Sequence, residues 1–435
     1  MSTGQARSVP TNSSQMRRLA VLRGPDRLWK EPQTIGYRFA GRLDLPRLET
    51  ALRLLARRHS ALRTCFAPDQ PIEVAVCLPP AAARWPLRVV RLSPDPVVAA
   101  AEQSAALAWL GSGFQPYERP LLRASVVRQP AGDLLGLAVD TTVFDCQSEP
   151  LLLADLQYVY NGLAAEDPAA FDQVRSDAAA FAREERQWLA GDKGAAALSH
   201  WDGLNEGLAA YPRLTVPTAG AYDPAAGRRH HTLAITDEQV RTMRQRMRTL
   251  RASSFVLLAT AGAASVRDHA DSDDVALLFG YSRRTWPVAV DLVGSLAGPC
   301  QLRVAVGRDE PVTTLYRQVR SAAMHAALHG MLGHDEFLRI RFPEAYDRMP
   351  SIPFLHLNVV DAEDGPAFHL DGLPGTKVPM PVRPDGYTPP GISVEVSLGG
   401  AGAASIVAGY PDGMYDPGLV EELTEAIVRR CVTAG

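Results

Sequence analysis

"VDTTVFDCQSEPLLLADLQYVY", Val139 to Tyr160, is the stretch on which the reading of the fold turns. Just upstream, "DLLGLAVDTTVF" (Asp133 to Phe144) carries apolar residues on both alternating faces, the pattern of a strand buried on both sides in the middle of a sheet. Alternation places Thr141 on the face of Leu135, Leu137 and Val139, and Asp140 on the face of Gly136 and Ala138. Downstream, Ser148 as cap and Pro150 in the first turn open a helix that turns Leu152, Leu156, Val159 and Tyr160 inward. A strand, loop and helix in this order commonly present a reactive group. Here the loop offers Asp145 and Cys146, while the positions where a base would stand hold Asp140 and Thr141.

The same grammar extends in both directions. "TIGYRFAGRLD" (Thr34 to Asp44) alternates as a strand, after which Asp44 caps a helix with Leu45, Leu48, Leu52 and Leu55 on one stripe. The first dozen residues, polar and Pro/Ser-containing, read as a loose arm. From Glu166 to Leu204 the chain is Ala- and charge-rich with helical periodicity, as in a connector. The second half repeats the pattern: a strand near "RHHTLAIT", helices "DEQVRTMRQRMRTL" and "SSFVLLATAGAASV", and a strand "DVALLFGYS". Strands "IPFLHLNVVD", "GISVEVSL" and "ASIVAGY" follow, then a final helix capped by Asp416 and Pro417. The expectation is two similar α/β lobes, residues 1–175 and 176–435.

Bulk properties exclude several classes. With 45 basic and 48 acidic residues in 435, net charge −3, there is no excess of Lys and Arg to grip nucleic acid. Five scattered cysteines without CxxC or Cys/His spacing suggest neither a zinc site nor a disulfide framework, and point to a reduced, cytoplasmic compartment. "MSTGQARSVPTNSSQMRR" lacks a signal-peptide core, and no window has the roughly 18 uninterrupted apolar residues of a membrane span, so a soluble chain with no membrane partner is expected.

The order of these motifs resembles the condensation domain of nonribosomal peptide synthetases, a relative of chloramphenicol acetyltransferase. "LRLLARRHSALRTCF" (Leu52 to Phe66) is similar to the family's early motif, and Val139–Tyr160 stands where the family has its His-His-x-x-x-Asp-Gly signature. "FAREERQWLAG" with "HWDGL", "GYSRRTWPVAVDLVGSLAGPCQLRV" (Gly280 to Val304) and "GYPDGMYD" resemble later motifs, so that nearly the whole chain is covered, as in a stand-alone domain. The resemblance implies two acetyltransferase-like lobes in a V-shaped pseudo-dimer with a central tunnel. It implies acyl or peptidyl carrier proteins as partners, substrates held as thioesters on their phosphopantetheine, no bound cofactor and no metal. In the signature the two His positions are Asp140 and Thr141, the Asp is Asp145 and the Gly is Cys146, a degenerate motif in which only the Asp survives. In the family that Asp is structural and pairs with the Arg of a Gly-Arg motif, here Arg284, so an Asp145–Arg284 ion pair is expected.

The remaining candidates are weighed against plainer roles. Thr141 can orient a substrate but not take its proton at neutral pH; Asp140 can, yet a strand-end carboxylate bonded to backbone is the commoner case. Cys146 before a helix N-terminus suits a nucleophile, although a small residue in place of glycine explains it as well. His356, with Asn358 two positions along the same strand, and Gly298, where the family usually has Asn, are candidates for substrate binding. The outward arginines of "VRTMRQRMRTLR" form either a solvated face or a dock for an acidic carrier. Two functions remain open: a condensation-type acyltransferase of specialised-metabolite or antibiotic biosynthesis forming an amide, an ester or a ring without the usual His, or a silent domain that recruits or gates another enzyme.

Overall fold

The strand that opens the argument runs Gly132–Val139, all eight residues buried, and lies inside a six-stranded sheet between Gln33–Phe39 and Leu122–Gln129. The structure, a computed structural model, describes residues 5–23, 32–112, 114, 120–162, 177–206, 214–223, 225–270, 272–307, 311–347, 353–360, 368–380, 390–399 and 404–433. From the sheet's edges inward, His369–Leu370 and Leu373–Lys377 precede Gln33–Phe39 on one side, and Leu87–Arg91 follows Leu122–Gln129 on the other. One face of this sheet is packed by Leu45–Arg58 and Ser148–Tyr160, whose leucines join Ile35, Leu135, Leu137 and Val139 in one core. Pro96–Gly111 covers the other face, with Ala106 against Val127 and Leu134.

Local chemistry sets the element ends. Asp44 accepts a hydrogen bond from the Arg47 amide to start its helix, with Pro46 in the first turn, and Asp416 accepts from the Gly418 amide to start Pro417–Val432. Thr236 and Gln239 close a capping box on Asp237–Leu250, where Met243 is buried and Val240, Met247 and Leu250 pack against the core. The connector forms the helices Ala178–Ala190 and Asp192–Leu204; its earlier part, 166–176, lies outside the described residues.

Compactness divides the chain into two units: Met1–Gln187 with Ser282–Ala297 and Pro366–Arg383, and Trp188–Tyr281 with Gly298–Gly365 and Pro384–Gly435. A single boundary at 175 is therefore not how the chain is partitioned. The excursion Ser282–Ala297 leaves the hairpin formed by Asp274–Tyr281 and Gly298–Ala305 and counts with the first unit, because its backbone and Arg284 are tied there to Asp145 and Ser148. The second unit has its own six-stranded sheet, in which Leu355–Val360 runs parallel to both Asp274–Tyr281 and Ile392–Ser397. Among the described residues no single helix is long and apolar enough to cross a membrane.

Two expectations need correction. The N-terminal arm is tied down from its first described residues: Arg7–Pro10 pairs with Val74–Cys77, and Asn12 and Gln15 exchange side-chain-to-amide bonds at the start of Ser13–Arg23. The central strand stops at Val139 instead of reaching Phe144, because Asp140 turns the chain: Val143 N donates to its carbonyl and Thr142 N to its Oδ1. Alternation therefore does not govern Thr141.

Candidate functional site

Residues 140–147 link the central strand to the helix Ser148–Tyr160, and both ends of this loop are fastened. At the upstream end, Asp140 is buried, its amide donates to Leu121 O, and its Oδ1 accepts from Thr142 N at 2.8 Å and from the Thr142 hydroxyl. That oxygen is occupied in holding the turn. Thr141 is also buried, but its hydroxyl forms no hydrogen bond among the described residues.

At the downstream end, Asp145 and Arg284 come together as a fork-to-fork pair, Nη1 2.9 Å from Oδ2 and Nη2 2.8 Å from Oδ1. Six donor bonds end on this carboxylate within 3.0 Å: the two from Arg284, the Ser148 amide and hydroxyl on Oδ1, and the amides of Leu296 and Ala297 on Oδ2. The Asp145 side chain is only 4% exposed, so each of these bonds replaces a lost water. Arg284 Nη2 also reaches the carbonyls of Leu292 and Gly294, while the Gly294 amide donates to Ser148 Oγ. One carboxylate thus locks the loop, the first turn of the helix and the segment 292–297 together.

Ser148 is correspondingly not the cap but the first helical residue. Gln147 occupies the cap position without a side-chain bond, and Asp145 does the capping by accepting the Ser148 amide. Cys146 is exposed, yet desolvation of its thiol and then the neighbouring Asp145 carboxylate push its pKa up, against the opposing pull of Arg284 and the Cys146 and Gln147 amides. No histidine hydrogen-bonds its sulfur among the described residues, so the environment favours thiol over thiolate.

The other candidates stand in the second unit. His356 and Asn358 share one half-buried face of Leu355–Val360, and Asn358 Oδ1 comes within 3.1 Å of where a side chain at Gly280 would begin. Gly298 opens the strand Gly298–Ala305 opposite Tyr281. Of the predicted residues, the structure therefore groups Asp140, Thr141, Asp145, Cys146 and Arg284 in one unit, and His356, Asn358 and Gly298 in the other.

A second buried ion pair went unread in the sequence. Arg283 Nη1 lies 2.9 Å from Glu185 Oε1, with the side chains 2% and 1% exposed. Ser13 donates its amide to Glu185 Oε2 and its hydroxyl to Oε1, placing a carboxylate at the positive end of Ser13–Arg23. Arg283 also donates to the Ser13 hydroxyl, and Asn12 Nδ2 reaches Ser295 O. Among the described residues no group of three or more His, Cys, Asp or Glu side chains is placed to hold a metal ion.

Residues 5–345 match the family model described as "Condensation domain". Malpinin synthetase of Mortierella alpina is 24% identical over 354 residues, 79% of this chain, and a chondramide synthase of Chondromyces crocatus is 25% identical over 308 residues, 70% of this chain. The chain spans only 4% of the length of the first of these relatives and 8% of the second. Among solved structures, the condensation domain of the monacolin K polyketide synthase MokA superposes with a TM-score of 0.78 at 16% identity, covering 98% of this chain and 97% of that one. The X-domain solved in complex with OxyB from teicoplanin biosynthesis gives 0.77 at 19% identity, covering 98% and 93%. The fold is the two-lobed α/β fold of these domains.

Proposed function

The chain belongs to the condensation domain family, and from that premise we propose that it joins acyl or aminoacyl groups presented as thioesters on phosphopantetheine arms of carrier proteins, by holding the reactants and without a histidine base. The observation that carries this reading is the state of the loop: Asp145 and Arg284 keep it fixed while the Thr141 hydroxyl, at the signature's second His position, is left without a partner among the described residues. In the reaction the acceptor nitrogen or oxygen adds to the thioester carbonyl carbon, the C–S bond breaks, and the leaving thiolate takes up the proton that the acceptor loses. Thr141 donates a hydrogen bond to the carbonyl or accepts one from the acceptor, but does not remove the proton. General-base help contributes about 10²–10⁴-fold, whereas holding two reactants in near-attack geometry contributes on the order of 7–11 kcal/mol. An activated thioester and an acceptor arriving as the neutral amine are consistent with the second term alone.

A second reading, recruitment of another enzyme without chemistry, is favoured by one observation: an X-domain solved in complex with OxyB shares this fold, and here the side chain at the first His position is committed to its own turn. Intact-protein mass spectrometry separates the two. Loaded donor and acceptor carriers are incubated with and without the protein; transfer of the acyl mass to the acceptor supports condensation, with a loss of at least tenfold expected for Thr141→Val. Unchanged carrier masses in every pairing, together with co-elution of a partner enzyme, support recruitment.

A further inference from the structure

In the first unit's sheet Gly36 stands opposite Gly136, and Gly136 opposite Ser125, so three small residues form one row across neighbouring strands. Cross-strand partners share a face, and two strand spacings make this row roughly 10 Å long. A methyl group on Gly36 would meet Met380 Sδ at 2.4 Å and Val378 at 3.1 Å; one on Gly136 would meet Leu110 at 2.3 Å and Met380 Cε at 3.2 Å. The thioether of Met380 therefore lies across both glycines, at a distance no other residue type in those positions would allow. Leu110 is fully buried, but Met380 is only partly buried and unbranched, the side chain more easily withdrawn.

The far end of the row supplies an independent sign of a ligand. Ser125 is 1% exposed, and its hydroxyl has no hydrogen-bond partner among the described residues. A hydroxyl buried in this state is costly unless something else satisfies it. Ala138, the next residue after Gly136 on the same face, is followed only by Val139 before the loop that begins at Asp140, so the row adjoins the candidate site.

We infer that Met380 is a displaceable plug in an acyl-chain trough floored by Gly36 and Gly136, and that Ser125 receives a hydrogen-bonding group carried at the far end of that chain. Resting on the reading of this domain as one that handles acyl thioesters, the inference names the acyl class: narrow, unbranched beside the glycines, and polar at its terminus. Met380 is then a specificity-determining residue.

Isothermal titration of the whole protein with acetyl, hexanoyl, decanoyl and terminally hydroxylated decanoyl thioesters of N-acetylcysteamine tests this. Each methylene newly taken out of water tightens binding about fourfold; Met380→Ala vacates three heavy atoms, so decanoyl binding tightens at least tenfold while acetyl binding is unchanged. Met380→Phe, which seals the trough, erases the dependence on chain length. In the Met380→Ala background, Ser125→Ala removes a preference of roughly three- to tenfold for the hydroxylated chain. Affinities independent of chain length in both the wild type and Met380→Ala overturn the inference, as does a hydroxyl preference that survives Ser125→Ala. Because binding is read without turnover, a length-dependent response in a protein that transfers nothing between carriers leaves the trough standing and removes only the condensation reading; transfer with flat affinities does the reverse.

Discussion

Arg284→Met removes the guanidinium from the clasp while keeping most of its volume. Asp145 would retain the amides of Ser148, Leu296 and Ala297 and the Ser148 hydroxyl, but its charge would stand 4% exposed without a counter-ion. Breaking one side of a buried pair costs about 3–5 kcal/mol, and the four remaining donors argue for the lower figure, about 3 kcal/mol. The mirror change, Asp145→Leu, is expected to cost more: three backbone amides lose their acceptor along with Arg284, and buried unmade hydrogen bonds add about 1–3 kcal/mol each. The double variant is the sharper test. Replacing a buried pair by apolar residues is often neutral, yet here it would still leave the Leu296, Ala297 and Ser148 amides orphaned, so it should recover from Asp145→Leu only the part owed to the unpaired Arg284 and stay well below the wild type. With a urea m-value of about 2–3 kcal/mol per molar, the Arg284→Met midpoint moves down by about 1 M. The assay is urea denaturation followed by Trp fluorescence and circular dichroism. A double variant restored to wild-type stability, or an Arg284→Met midpoint unmoved, would show that the pair and its amides do not hold this loop.

Two further outcomes follow from the shifted titrations. Iodoacetamide labelling of Cys146, read by peptide mass spectrometry across pH, should rise only above the range of an ordinary thiol, since desolvation and Asp145 oppose the thiolate; a midpoint below about 8.5 would restore the nucleophile reading. In the second unit His200 stacks on His329 at 4.3 Å between ring centroids and lies 5.9 Å from His325, and burial together with the neighbouring imidazoles lowers the pKa of His200 and His329. The unfolded chain then binds more protons, so the cluster's contribution is complete above about 6.5 and fades as pH drops through the lower folded values; His200→Phe should flatten the fall in urea midpoint between pH 8 and pH 5, and parallel falls would refute it.

Most regular elements were legible because their signals are local. Asp44 and Asp416 announced helix starts through a side chain two or three residues from the amide it bonds, and the doubly apolar run ending at Val139 could only be an inner strand. The end of that strand was misread because apolar Val143 and Phe144 extend the pattern, although Asp-Thr-Thr is itself turn chemistry that outweighs propensity. Likewise Asn12 and Gln15, three apart, carry a capping-box spacing inside a segment whose composition alone suggests disorder. The Asp145–Arg284 pair spans 139 positions, and no spacing rule reaches that far; only the resemblance supplied it.

The Glu185–Arg283 pair is the instructive omission, since one signal was present. Glu185 sits in "FAREERQW" between two other charged residues, but Phe181, Ala182 and Glu185 fall on one helical stripe, and a carboxylate on an apolar stripe demands a buried cation. Its partner adjoins Arg284, so successive arginines serve two separate buried carboxylates: Arg284 anchors the loop before the helix Ser148–Tyr160, and Arg283 anchors the start of Ser13–Arg23. Neither Asp145 nor Glu185 depends on a residue at position 140 or 141. Substitutions at Asp140 and Thr141 are therefore expected to leave both anchors, and the loop and helix start they hold, in place.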